Sequence, residues 1–125
     1  MLLDSNIIIY SAQPEYSQLR ELIAEHSPAV SALSYLEVLG YHLLTKQQRE
    51  YFEELFRVAQ VLPISQDVLT QAVALRQQRR MTLGDAIIAG TALAHKLTLI
   101  TRNVDDFRWV AELNLLNPFD ADGST

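Results

Sequence analysis

Short apolar runs alternate with longer helix-patterned stretches along almost the whole chain, and that alternation sets the fold class. Met1-Leu-Leu-Asp4 reads as a short buried strand. Ala29–Ser31, Val61–Ile64, Leu97–Thr101 and Leu113–Asn117 are further strand candidates. Pro63 suits an edge position for the third of these five runs. Between them Tyr16–His26, Leu33–Leu44, Gln47–Ala59, Asp67–Arg80 and Leu83–His95 read as helices. Asn6–Tyr10 fits either the first strand continuing or a first helical turn, because so short an apolar run has no period to read. Spacing turns Val68, Ala72 and Leu75 inward on one helix. On Gln47–Ala59 it assigns Tyr51, Leu55, Val58 and Ala59 to the apolar side, opposite Glu50, Glu53, Glu54 and Arg57. Strands separated by helices imply an α/β fold with a mostly parallel sheet, since parallel neighbours need crossover connections.

The chain has 125 residues, no cysteine and no repeat, so one domain is expected over residues 1–119, followed by a polar tail over 120–125. An apolar content of 49% excludes a disordered chain. No apolar run approaches the ~18 residues of a membrane span. The opening residues lack the basic and long apolar regions of a secretory signal, so a cytoplasmic protein is expected. Ten basic residues against fifteen acidic give a net charge of −5. A passive nucleic-acid binder is usually basic. An acidic chain handles nucleic acid if its carboxylates hold metal ions, and two Mg²⁺ would bring −5 to −1. Eight of the ten cations are arginine, the better phosphate fork.

Ligands in parallel sheets bind beyond the carboxyl ends of the strands. Asp4 stands at such an end, and Arg102–Asp106 follows another. Glu37 and Asp85 lie within helices rich in apolar residues: Glu37 with Leu33, Gly40, Tyr41 and Leu44, and Asp85 with Ile88, Ala89 and Ala92. An ionised carboxylate on such a stripe is costly unless paired or metal-bound. Gathered carboxylates repel one another, and a hard divalent cation resolves that repulsion. Each acid also has a plain structural reading. Ser34-x-x-Glu37 and Thr82-x-x-Asp85 have capping-box spacing, Asp4 can cap a turn, and Asp105 and Asp106 can be solvated. His26, His42 and His95 lack metal-ligand spacing. No serine or threonine falls in a nucleophile motif, and no glycine-rich phosphate loop exists. Arg76, Arg79 and Arg80 form either a solvated helix end or a phosphate grip. Tyr51, Phe52 and Phe56 suit the core or an oligomer contact.

Asp4-Ser-Asn-Ile-Ile-Ile-Tyr10, the Ser31–Tyr41 run, the Leu83–Leu93 run, Leu99–Phe107 and the closing Leu116-Asn-Pro-Phe119 together resemble a PIN domain. Within that family the chain is most similar to VapC-type ribonuclease toxins of type II toxin–antitoxin pairs. The resemblance implies a three-layer α/β/α sandwich and a Mg²⁺- or Mn²⁺-dependent endoribonuclease. Cleavage by water would leave 5′-phosphate ends on structured cellular RNA. Asp4, Glu37 and Asp85 match the family's metal-holding catalytic acids. Asn103 departs from the aspartate that many members carry. Asp106 is then the better candidate for the remaining catalytic acid, with Asn103 either a ligand through its amide carbonyl or the holder of a metal-bound water. Ser5 and Thr101 match positions that hydrogen-bond the acids. Arg76, Arg79, Arg80 and Arg102 are candidate RNA contacts. The implied partners are RNA, a cognate antitoxin and a second copy, in a homodimer and a larger assembly with antitoxin, with no membrane involved. The expected dimer face is the helix carrying Tyr51, Phe52, Leu55 and Phe56, and an antitoxin would press apolar anchors into a groove and set an Arg or Lys against the acids.

Two competing readings exist. A phospho-acceptor signalling domain has similar layering but wants an acidic pair after the first strand, a mid-chain acceptor aspartate and a late lysine. Here Asp4 is alone, no aspartate lies between 4 and 67, and residues 101–106 hold no lysine. A PIN-like binding module that is catalytically weak or silent and acts through a partner is opposed by the intact Asp4, Glu37 and Asp85.

Overall fold

The strand Leu2–Leu3 (β1) runs through the middle of a five-stranded parallel sheet. A computed structural model describes residues 1–120; the expected tail lies outside the described residues except for Asp120. β1 pairs with Ala29–Ser31 (β2) on one side and Leu99–Ile100 (β4) on the other. Gln60–Leu62 (β3) lies beyond β2, and Leu115–Leu116 (β5) beyond β4, giving the order β3-β2-β1-β4-β5. The chain fills one half of the sheet and then crosses to fill the other. The reversal falls between β1 and β4, where α/β sheets open a crevice at their carboxyl edge.

Leu2, Leu3, Val30, Leu99 and Ile100 are fully buried, as expected for a sheet covered on both faces. Alternation sends neighbouring side chains to opposite layers. Leu2, Ala29, Leu62 and Leu99 pack with Leu75 of Gln66–Gln78 (α5) and with Ile88, Ala89 and Ala92 of Leu83–His95 (α6). Leu3, Val30 and Ile100 pack with Ile7 and Ile8 of Ser5–Ser11 (α1), Val38 of Ala32–Leu39 (α3), and Phe52, Leu55 and Phe56 of Lys46–Val58 (α4). Leu22 and Ile23 of Ser17–His26 (α2) pack against this second layer. The result is the expected α/β/α sandwich. Val68, Ala72 and Leu75 face inward as their spacing predicts. No helix among the described residues is long and apolar enough to cross a membrane.

Gly90 allows α5 and α6 to pack backbone to backbone. A Cβ there would come within 2.8 Å of the Val68 carbonyl oxygen and 3.1 Å of the Ala72 nitrogen. Gly90→Ala is expected to lower stability by about 1–3 kcal/mol despite alanine's better helix propensity, because backbone rather than a flexible side chain must yield. Urea unfolding checks this, and a variant as stable as the parent would refute the close approach.

The structure settles one open reading and changes two others. Asn6–Tyr10 is helical, with Ile7, Ile8 and Ser11 buried and Ile9 exposed. The helix expected over Leu33–Leu44 stops at Leu39, with Gly40 as its C-cap, because Thr45 and Gln48 start the next helix with a reciprocal capping box. α4 buries Phe52, Leu55 and Phe56 and leaves Val58 63% exposed, so the apolar stripe lies beside the one expected. Tyr51 is half-buried, and its hydroxyl donates to Ser11 Oγ. The stripe expected to pair two copies is thus mostly spent on the chain's own core.

Candidate active site

Asp4 follows β1 at the crevice edge and is 8% exposed. It is the N-cap residue of α1, but its side chain closes no capping bond; Oδ2 instead accepts a 2.8 Å hydrogen bond from the Thr101 hydroxyl, just after β4. Thr101 Oγ1 also accepts the Asn103 backbone N–H at 3.1 Å. The two strands flanking the crossover are therefore joined at their carboxyl ends through a carboxylate and a fully buried hydroxyl.

Ser5 opens α1, and its hydroxyl donates to Glu37 Oε1 at 2.8 Å while lying 2.8 Å from the buried Ser34 hydroxyl. The other Glu37 oxygen lies 3.9 Å from the place a Cβ on Gly84 would occupy. Glu37 thus reaches from α3 to the first turn of α6, next to Asp85. It is exposed rather than held on a long apolar stripe, because α3 ends before Gly40, Tyr41 and Leu44 could form one. Ser34 is not its cap: Ser31 caps α3 by accepting the Leu33 N–H. Thr82 does cap α6, its hydroxyl accepting the Asp85 backbone N–H at 3.1 Å. Asp85 is half-buried in the first turn, where the helix dipole favours negative charge.

These acids feel one another. Burial pushes the Asp4 carboxyl up, the Thr101 hydroxyl and Ser5 backbone N–H pull it down, and the Asp85 and Glu37 charges push it up again, for a net rise. Asp85 is also raised, first by burial, then by the Asp106 charge and that of Glu37, against the Thr82 hydroxyl. Asp106 belongs to the short helix Val104–Phe107 (α7). Its carbonyl accepts the Trp109 indole N–H at 3.1 Å and its N–H donates to the Asn103 carbonyl. Among the described residues, none of these four acids has an ion-pair partner. Among the described residues no three His, Asp or Glu side chains are grouped so as to hold a metal ion.

The remaining candidates divide. Asn103 is exposed at the N-terminus of α7, two residues beyond Thr101. Arg76 Nε donates to the Met81 carbonyl, bracing the α5–α6 connection. The Arg79 guanidinium lies 5.3 Å from the Trp109 ring centroid, and Arg80 is exposed. Arg102 sits on aromatic rings rather than standing free. Nothing in the spacing pairs Ser34 with Ser5; a small hydroxyl on a densely apolar helix is the available sign.

The family model of the PIN domain matches residues 1–113, and the chain belongs to that family. PIN domains are nucleases that generally use divalent metal ions. Solved structures similar to it include a toxin–antitoxin complex from Klebsiella pneumoniae, at 31% identity and TM-score 0.73, covering 94% of this chain and 96% of that one. VapBC-1 from nontypeable Haemophilus influenzae matches at 25% identity and TM-score 0.74, covering 93% and 96%. FitAcB from Neisseria gonorrhoeae matches at 25% identity and TM-score 0.74, covering 94% and 97%. No curated protein matches.

The donor chemistry, rather than a preformed cluster, suits such a cation. Carboxylate oxygens are hard ligands, and Mg²⁺ typically needs only one or two of them, the rest coming from water and substrate. Asp4 is buried with a raised carboxyl and, among the described residues, no ion-paired cation, so its ionised form lacks a counter-charge. Thr101→Val removes the hydroxyl that serves both Asp4 and the Asn103 N–H while keeping the shape. It is expected to cost about 1–3 kcal/mol of stability in urea. A neutral result would mean that water replaces the hydroxyl.

Proposed function

We propose that this chain is the toxin of a toxin–antitoxin pair, a Mg²⁺- or Mn²⁺-dependent endoribonuclease that hydrolyses structured cellular RNA to 5′-phosphate ends. The observation that carries the reading is the placement of Asp4, Glu37 and Asp85 at the sheet's crossover edge, held by the Thr101, Ser5 and Thr82 hydroxyls, with no ion-paired cation on them among the described residues. Asp4, Glu37 and Asp85 would hold the metal, with Asp106 as the further catalytic acid and the Asn103 amide carbonyl at the rim. When bound, a divalent cation lowers the pKa of water and offsets charge on the phosphoryl oxygens. The chain's own work is positional. Thr101 fixes one Asp4 oxygen, Ser5 fixes one Glu37 oxygen, and Thr82 anchors the turn that presents Asp85.

The toxin–antitoxin complexes among the similar structures support an antitoxin partner here. A groove of about 690 Å³ passes Ile9, Val38, Tyr41, Leu44 and Phe52 and reaches Glu37. It would take apolar anchors of an antitoxin segment and lead a basic side chain to the acids. A homodimer, if it forms, must use other surface than the Phe52–Phe56 stripe; Tyr35, Leu36 and Leu83 are exposed.

The test is to purify the chain free of antitoxin, incubate it with total cellular RNA with Mg²⁺, Mn²⁺ or chelator, and map the cut ends. Metal-dependent cuts bearing 5′-phosphates are expected. Cleavage that survives chelation, or cyclic-phosphate ends, would overturn the hydrolytic metal reading. No cleavage by a metal-loaded, antitoxin-free chain would leave the silent binding module.

A further inference from the structure

Arg102 stands between Thr101, which holds Asp4, and Asn103. Its side chain is exposed, and as a simple phosphate contact it would extend into solvent toward RNA. Instead the guanidinium carbon lies 4.6 Å from the Phe119 ring centroid and 5.3 Å from that of Tyr10. Those rings and Tyr16 form a closed edge-to-face triangle: Tyr10–Tyr16 at 5.5 Å, Tyr10–Phe119 at 5.7 Å and Tyr16–Phe119 at 5.2 Å. The Tyr16 and Tyr10 hydroxyls lie on the same side of the cluster and favour the charged guanidinium. The backbone is tied at the same place. Asn117 Nδ2 donates to the Arg102 carbonyl at 3.4 Å, and Asn117 Oδ1 accepts the Phe119 N–H at 2.9 Å. The Thr101 N–H donates to the Leu116 carbonyl at 3.0 Å. Residues 116–119 therefore grip the turn after β4 by ring, amide and ladder bond together.

We propose that Arg102 is a positioning residue, clasped by Tyr10, Tyr16 and Phe119 so that the 101–103 turn holds the Thr101 hydroxyl on Asp4 and Asn103 at the site. Phe119 thereby becomes part of the catalytic architecture without touching substrate. Lysine cannot replace the arginine here, because a planar guanidinium stacks on two rings at once whereas an ammonium is a compact, strongly hydrated point charge. A phosphate contact, in contrast, keeps its charge attraction with lysine, which binds phosphate as a point charge. The proposal rests on the nuclease reading of this edge, and its test has one arm that does not.

The full chain is compared with Arg102→Lys, Phe119→Leu and Tyr16→Phe; the last removes only a hydroxyl and is the least disturbing to folding. In metal-free protein, amide exchange at Asn103, whose N–H bonds Thr101 Oγ1, is expected to speed up about 10-fold in Arg102→Lys and Phe119→Leu and less in Tyr16→Phe, while the Leu3 and Ile100 amides stay protected. In RNA cleavage, kcat is expected to fall about 10-fold in the first two variants, with KM and its salt dependence unchanged, because displaced catalytic groups cost rate. Unchanged exchange at Asn103 in all three variants overturns the clasp. So does a pattern in which Arg102→Lys behaves as the parent and Arg102→Ala raises KM and lowers its salt slope by about 0.7, the loss of one single-strand phosphate contact. If the parent cleaves no RNA, the nuclease reading fails, and the exchange measurement still decides whether the clasp holds the turn.

Discussion

Asp85→Asn is expected to cut metal-dependent RNA cleavage by about 10²–10³-fold, the scale of losing one electrostatic stabiliser from an active site, while leaving the metal-free chain at least as stable as the parent. The side chains are nearly isosteric, so packing against Ala89 survives. The Thr82 cap also survives, because its donor is the backbone N–H of residue 85, which asparagine keeps. What changes is charge. Burial and the charges of Asp106 and Glu37 raise the Asp85 carboxyl, and the neutral amide escapes all three. Lost dipole interaction at the α6 N-terminus offsets about 0.3–1 kcal/mol of that gain. The sign of the pH dependence follows. A carboxyl raised above its usual 3.8 binds its proton more tightly folded than unfolded. Its ionisation therefore destabilises the fold as pH rises from that usual value through the raised one. The advantage of Asp85→Asn should be full above that window and vanish in acid below it. Added Mn²⁺ should raise the melting temperature of the parent more than that of the variant, since a ligand that binds only the folded state stabilises it. Melting curves and cleavage on the same two preparations decide the matter. A variant that melts lower with or without Mn²⁺ and still cuts RNA would make Asp85 a structural acid.

How much of this was legible in the sequence depends on the length of each signal. Thirteen-residue helices carry several turns of pattern, and α5 and α6 fall where spacing puts them, with Val68, Ala72 and Leu75 inward. Strands of two or three residues carry no period, so their existence was readable but their order was not. Sheet order is a property of crossovers, and it is what brings Asp4 and Thr101, 97 residues apart, within 2.8 Å. Asp4, Glu37, Asp85 and Asp106 were each visible as acids in unusual places, yet each had a plain explanation. Thr82 shows the two readings coexisting, since it caps α6 and in doing so presents Asp85. What surrounds the arginines was hidden for a related reason. Charge is visible in a sequence, but an aromatic ring 17 residues away that occupies a guanidinium is not, as Arg102 and Phe119 demonstrate. The α4 stripe was displaced because Tyr51 and Phe52 are both aromatic, and only the fold determines which one enters the core and which turns its hydroxyl to Ser11.

Phe107→Ala is expected to have the largest effect on stability, about 3–5 kcal/mol, as for other buried aromatic truncations. The expected total for a chain of this length is about 6–19 kcal/mol at roughly 0.05–0.15 kcal/mol per residue, so the loss is a large fraction. Phe107 is 1% exposed and packs in the layer that contains Leu2, Leu99 and Ile88. Its helix, α7, has four residues, and Asn103 gives it no side-chain cap. A helix that short has no stability of its own in water, so tertiary packing must hold it. Truncation therefore removes both the transfer energy of the ring and the main anchor of the segment that carries Asp106. The Trp109 indole bond to the Asp106 carbonyl then spans a loosened turn. Cleavage should fall at temperatures well below the variant's melting point, which separates local loosening from global unfolding. Phe107→Leu should recover part of both losses by refilling some of the cavity. Urea unfolding gives the stability change, and cleavage at low temperature gives the local one. A loss under about 1 kcal/mol would mean that the site collapses around the missing ring. Full activity in a destabilised but folded Phe107→Ala would detach Asp106 from the reaction and leave Asp4, Glu37 and Asp85 to carry it.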